Sequence, residues 1–223
     1  SSPTSMTFAI IPPTVTSTES KAVTLSNHLS ADPENPTTIE FVTAPYTPVI
    51  GEVYGGGVVA YLETDGSGNT TGHGLIVSMA DVSTGTAWGC QGDDISGAEA
   101  TGIGTWDSST GDYSGGGKQN TIDILADCTT SGIAAAVCDT STVGGYSDWF
   151  LPSNDELATC HTNRTTIESV DDFTAFHGSV HYNTSTEVST NPTVQVHAMS
   201  PTNGNQSLSL KNDLTRVRAM RAF

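Results

Sequence analysis

Arg216, Arg218 and Arg221 stand within the last eight positions of a 223-residue chain that has seven Lys and Arg residues against 24 Asp and Glu. Guanidinium groups so concentrated can do one of two things: pair with carboxylates inside the fold, or hold an anionic ligand. With a formal net charge of −17, internal carboxylate partners are abundant, so a structural role is the expectation for all three.

Other groups with chemical potential are scattered. Asp65-Gly-Ser-Gly-Asn69 opens like a calcium loop, but Thr70 stands where the sharp turn needs Gly and Ile76 where a bidentate Glu is needed. Asp93-Asp94 reads as a solvated loop pair. Ser, His and Asp are plentiful, yet no G-x-S-x-G, H-E-x-x-H or P-loop string occurs. His73, His161, His177, His181 and His197 sit in or beside polar stretches and read as surface histidines. A non-enzymatic protein without cofactor is therefore expected. Asn69, Asn163, Asn183 and Asn205 begin glycosylation-type tripeptides, which chance supplies in so Asn/Ser/Thr-rich a chain.

The four cysteines allow three pairings if all are bridged. The short CTTSGIAAAVC stretch suits a local Cys128–Cys138 staple, leaving Cys90 to meet Cys160; four reduced thiols are the alternative. No Cys-x-x-Cys pair exists and His161 lacks a partner at zinc-ligand spacing, so no metal site is expected.

The acidity repels phosphate backbones and anionic lipid, which argues against nucleic acid and membrane surfaces as partners. No run of eighteen apolar residues is present, so membrane insertion is not expected. The opening SSPTSMTFAIIPPT lacks the charged and apolar regions of a signal peptide.

The elements that must position these groups follow from punctuation and periodicity. Residues 1–50, rich in Pro, Thr and Val, predict a few strands, among them TTIEFVT, in a β-rich segment for attachment or oligomerisation. From Gly51, GVVAYL and GLIVSM predict a hairpin around a polar loop. KQNTIDILA predicts a short helix with Asn120 as its N-cap, and GIAAAVC a continuation or second piece. In LPSNDELATCHTNR, Ser153 and Glu156 form a capping box that starts a further helix. Short strands and polar loops return to the end. The fold class is α+β: short strands around two short helices, with long irregular loops.

The strings GGVVAYL, HGLIVS, TAWGC, KQNTIDI, GGYSDWFLPSNDEL, YNTSTE, NGNQ and VRAMRAF occur in one order. Together they closely resemble the domain of unknown function found at the C-terminus of a collagen-like bacterial adhesin and in bacterial surface and phage proteins. The resemblance covers residues 51–223 and implies a C-type lectin-like fold. It implies that VRAMRAF is an inner strand beside the GGGVVAYL strand, with Val217 and Ala219 on one face and Arg216 and Arg218 on the other. Glu187 and Asp148 are then the expected carboxylate partners of the arginines, and Trp149 a core plug. The calcium-dependent sugar strings of C-type lectins are missing, so that site is not carried over.

The run NGNQSLSLKNDLTRVRAMRAF also resembles the variable region of proteins diversified by retroelements, among them phage tropism determinants and archaeal viral variable proteins. In those, a fixed lectin-like scaffold carries a rewritten binding patch. The matching positions are Ser207, Leu208, Ser209, Leu210, Asp213, Leu214 and Thr215. Adjacent candidates are Asn183, Ser189, Thr190, Asn191, Thr193, Gln195 and His197. The chain departs from the family here: Tyr182-Asn183 stands where relatives have Tyr-Trp. Leu208, Leu210 and Leu214 read either as core residues of alternating strands or as an exposed binding patch. The expectation is a ligand- or receptor-binding protein of a virion, extracellular or cell-surface setting, with a cell-surface protein or glycan as partner. The rival reading is a structural subunit of a viral or bacterial surface assembly, its leucines making subunit contacts.

Overall fold

The computed structural model describes residues 48–223, which fall in one compact unit, Thr47–Phe223. The TTIEFVT strand lies outside the described residues, as does nearly all of the 1–50 segment and with it any attachment or oligomerisation role.

Strands β1 (Val53–Tyr54), β2 (Gly57–Thr64), β3 (Thr70–Ser78) and β4 (Ser83–Thr86) come first, followed by the small hairpin β5 (Thr105–Asp107) and β6 (Asp112–Ser114). Four helices follow: α1 (Gly116–Asp127), α2 (Ala134–Asp139), α3 (Asn154–Thr162) and α4 (Arg164–Glu168). Strands β7 (Tyr182–Glu187), β8 (Gln195–Met199), β9 (Gln206–Leu210), β10 (Thr215–Val217) and β11 (Met220–Ala222) complete the unit. The class is α+β, with four α-helices among the described residues where two were expected. GIAAAVC forms α2 as a separate piece, one of the two readings open for it, whereas α4, five residues long, is too short to leave a periodic signal.

The predicted hairpin is β2 and β3, the centre of a sheet ordered β1-β2-β3-β11. Val58, Val59, Ala60, Leu75, Ile76 and Val77 are all solvent-excluded, because the sheet is covered on both faces. Val58, Ala60, Leu75 and Val77 feed one apolar cluster and Ile76 the other. The last strand pairs with β3, Met220 opposite Val77 and Ala222 opposite Leu75, and not with the GGGVVAYL strand as expected. The physical reason is that β1 already occupies the far edge of β2, Val53 opposite Val58, so the free edge belongs to β3.

The second sheet is ordered β4-β10-β7-β8-β9, with β10 and β7 parallel and the other pairs antiparallel. DWFLPSNDEL ties the cores together: Trp149 and Leu151 enter one, Phe150 the other, and Phe150 bridges Met220. Ser153 then caps α3 as predicted, its Oγ accepting from Glu156 N while the Glu156 carboxylate accepts from Ser153 N. That carboxylate also accepts from Tyr113 Oη and from the amides of Gly104 and Gly117, so one buried side chain fixes the starts of two helices. A Cβ at Gly117 would lie 2.4 Å from Glu156 Oε2 and 2.5 Å from Leu151 O, which is why α1 opens on glycine. Asn120 is therefore not the N-cap. It lies inside α1, buried, its Nδ2 donating to Ala100 O and Ser185 Oγ.

Candidate binding surface

The three arginines near the end of the chain divide between two carboxylates. Arg221 grips Asp148 through two parallel hydrogen bonds, Nε to Oδ1 at 2.7 Å and Nη2 to Oδ2 at 2.8 Å, and its guanidinium lies 4.0 Å from the Tyr146 ring. Arg218 does not meet Glu187. It is fully buried against Asp81, with Nη1 donating to Ser78 O, Nη2 to Thr174 O, and Phe173 and Phe176 beside its plane. Arg216 joins the same Asp81 at 2.7 Å. VRAMRAF is not one alternating strand: β10 ends at Val217 in one sheet and β11 begins at Met220 in the other, and Val217, Arg218 and Ala219 are all buried at the crossing.

Glu187 instead binds the ammonium of Lys211, and both side chains are solvent-excluded. The Lys211 Nζ also donates to Asp93 O at 2.6 Å and lies 4.5 Å from the centre of the Trp88 ring. Burial pushes the Glu187 carboxyl above its ordinary range, and the Lys211 contact opposes that. Oxygens of Asp94, Glu99 and Glu187 lie within 4.8 Å of one another and could ligate a cation; the cation held at Glu187 is the Lys211 ammonium.

The cysteine pairing differs from the expectation. Cys90 is bonded to Cys128, while Cys138 and Cys160 are free and buried. Proximity in sequence favours Cys128 with Cys138, but the fold brings the Cys90 loop to Cys128 at a Cα–Cα distance of 5.7 Å, while Cys138 is solvent-excluded on α2. Cys160 lies in the other cluster, on the buried face of α3, far from the Cys90 loop in its packing.

The candidate patch residues separate by register. Asn183 is not on the surface: it is 1% exposed and its Nδ2 donates to Thr86 O at 2.9 Å. The whole of β7 is buried although it is polar, because each side chain finds a partner there. Thr184 Oγ1 donates to His197 O, Thr186 Oγ1 to Ala100 O, and Ser185 Oγ accepts from Asn120. Opposite Leu208 in the β8–β9 ladder is His197, and opposite Leu210 is Gln195. Val196 and Ala198 between them are buried, so these four side chains share the outer face and Ser207 and Ser209 the inner one. Burial lowers the His197 imidazole below its ordinary value, against the opposing charge of Asp155.

The leucines are exposed rather than core: Leu208 by 52%, Leu210 by 42% and Leu214 by 74%. They are three of the six large apolar side chains exposed among the described residues, and they fall within seven positions. Strand β9 is an edge strand, and the turn after it is tied back by Leu210 N donating to Asp213 Oδ2. Ser189 and Thr190 are exposed on the β7–β8 turn, where Asn191 Nδ2 reaches Gln195 Oε1 and Thr193 O accepts from Gly92 N.

Beside Leu214 the surface sinks into a cavity of about 390 Å³ between the β9–β10 turn, β10 and the 177–181 loop. Thr215 and Arg216 line it, with Ser179, His177 and His181 opposite. Sequence reasoning treated the histidines as surface residues and Arg216 as structural; the one available signal was two histidines within HGSVH. A smaller cavity of about 260 Å³ lies at Trp106, Lys118, Asp148 and Arg221, but both of its cations are already in ion pairs, Lys118 with Asp112 and Arg221 with Asp148.

No protein-family model matches the chain, and no curated protein matches it. Among the described residues no helix is long and apolar enough to cross a membrane.

Proposed function

We propose that this chain is a non-enzymatic ligand-binding protein of a virion, extracellular or cell-surface setting, displaying its binding surface on a C-type lectin-like scaffold of the retroelement-diversified type. The observation that carries this reading is the concentration of exposed leucines on β9 and its following turn. Three apolar side chains held out on a regular edge strand and a tied turn, amid Ser, Gln and Asp, are organised as an interface. The α+β architecture, the buried YNTSTE strand and the DWFLPSNDEL bridge between cores are in keeping with the scaffold the sequence motifs resemble. Disulfide Cys90–Cys128 suits an oxidising compartment. The partner is a protein or glycan on a cell surface.

A structural-subunit reading draws on the same strand, since an exposed apolar edge also serves assembly between copies. One experiment separates the two. The full chain and a Leu208→Ser/Leu210→Ser/Leu214→Ser variant are compared by light scattering and by flow cytometry on intact cells. A binder stays monomeric through this surface and loses cell attachment in the variant. Assembly that the variant abolishes, without cell attachment, would establish the subunit reading. Diversification is tested separately, by sequencing the flanks for a near-copy of the segment encoding residues 181–223 that differs mainly at adenines.

A further inference from the structure

We infer that the cavity beside Leu214 is a subsite for a carboxylate-bearing monosaccharide unit, an inference that rests on the binding role proposed for this surface and names its ligand class. The argument begins with charge. Arg216 and Arg218 share the single carboxylate of Asp81, so this group of three side chains carries a surplus positive charge. Arg218 is fully buried and its donors are committed to Asp81, Ser78 O and Thr174 O. The surplus therefore emerges at Arg216, which lines the cavity. Only its Nη1 is engaged, by Asp81; Nε and Nη2 have no partner among the described residues.

The rest of the lining agrees in sign. Although the chain's net charge is −17, no carboxylate lines this cavity among the described residues. His177 Nδ1 lies 3.4 Å from the Ser179 amide that donates to it, which leaves Nε2 to carry the proton outward. His181 adds a second imidazole.

Geometry then selects among carboxylates. A volume of about 390 Å³ is in the range of small-molecule pockets, and an aspartate or glutamate side chain would leave most of it empty. Among the lining residues, the hydroxyls of Thr84, Ser179 and Ser209 offer both donors and acceptors, the complement of a polyol ring. Leu214 and Val180 supply an apolar edge for its C–H face. The wall is preorganised: Tyr182 Oη accepts from His177 N and donates to the same Asp81 that holds Arg216, so loop and strand are locked together.

The test uses the full chain, amide-resolved NMR and four probes: methyl glucuronoside, methyl sialoside, neutral methyl glucoside and N-acetyl-aspartate methylamide. The expected result is saturable shifts at Ser179, Thr215 and Arg216 with at least one acidic sugar at millimolar concentration, with the neutral sugar at least about tenfold weaker. Arg216→Gln weakens the acidic sugar about tenfold or more, and Arg216→Lys, which restores the charge, recovers part of that binding. In Arg216→Gln the Arg218–Asp81 pair remains, so the melting temperature stays near that of the wild type and the loss of binding is not a loss of fold. Equal binding of the neutral sugar, unchanged binding in Arg216→Gln, or no saturable shift with either acidic sugar overturns the inference. Preference for the aspartate amide overturns the sugar class and assigns an acidic protein segment. Should the subsite fail while the triple leucine variant still loses cell attachment, the binding surface stands without it.

Discussion

Arg218 and Asp81, 137 residues apart in the chain, are joined by a 2.8 Å hydrogen bond from Nε to Oδ1, in a place where no solvent reaches the guanidinium. The pair fastens the return of the final strands to the segment that leaves β3. Tyr182 and Arg216 converge on the same carboxylate, so the Arg216 side chain that lines the cavity is held from behind.

Removing that carboxylate strands a buried cation. Asp81→Ala should destabilise the protein by about 3–5 kcal/mol in chemical denaturation. Arg216→Gln, by contrast, removes a partly exposed partner while Asp81 keeps Arg218, and should cost about 1 kcal/mol or less. Equal losses in the two variants would mean that Arg218 is not the member that needs Asp81.

Lys211 and Glu187 form the second buried ion pair, and here the partners are interchangeable in importance. Lys211→Met leaves a buried carboxylate supported only by the Ile95 amide, and should cost about 3–5 kcal/mol. Glu187→Gln in the same background should recover part of that loss, because the uncompensated charge is gone. A double-mutant cycle measures the coupling; strictly additive losses would argue against a direct pair.

How much of this was legible in the sequence depended on whether the signal was local. The Ser153–Glu156 capping box and the β2–β3 hairpin each reside within one short stretch, and both formed as read. The start of α1 was misplaced because it is set from a distance, by Glu156 closing on the amide of Gly117. Strand β7 carries five polar side chains that are buried only because Thr86, Ala100, His197, Asn120 and Lys211 come to meet them. Hydropathy cannot register such partners, so Asn183 looked like a surface residue. Asp148 was named among the arginines' expected carboxylates because it adjoins a recognisable motif, but its pairing with Arg221 was not read, and Asp81 sits in an unremarkable MADVS turn.

The thiols give a direct reading of the disulfide assignment. Burial pushes the Cys160 thiol up to about 12, and Cys138 is raised by the same cause, so neither should react with a thiol reagent in the folded protein. Two thiols should titrate on unfolding and four after reduction. Cys90→Ser/Cys128→Ser frees a loop of 38 residues and should lower stability by about 4 kcal/mol on chain entropy. Retention of stability in that variant, with loss in Cys128→Ser/Cys138→Ser, would restore the local pairing.

Glu156 makes the clearest pH prediction. Desolvation holds its carboxyl above the ordinary value of 4.5, although hydrogen bonds from the Ser153 amide, Tyr113 Oη and the Gly117 and Gly104 amides pull it down. Between 4.5 and the raised value the folded protein therefore binds more protons at this site than the unfolded chain, and the stability owed to Glu156 falls as pH rises. Asp65, Asp107 and Asp112, exposed and lowered by hydrogen bonds, have the opposite trend, but they are common to wild type and variant and cancel in a comparison. Glu156→Gln loses one acceptor to the backbone amides and should be about 1–3 kcal/mol less stable at neutral pH. On acidification towards pH 4.5 the gap between wild type and variant should widen in favour of wild type, because only wild type takes up the extra proton. Urea denaturation of both proteins across that range measures it. A gap that stays constant would mean that the buried carboxyl titrates alike in both states, and that its hydrogen bonds offset the whole cost of taking it out of water.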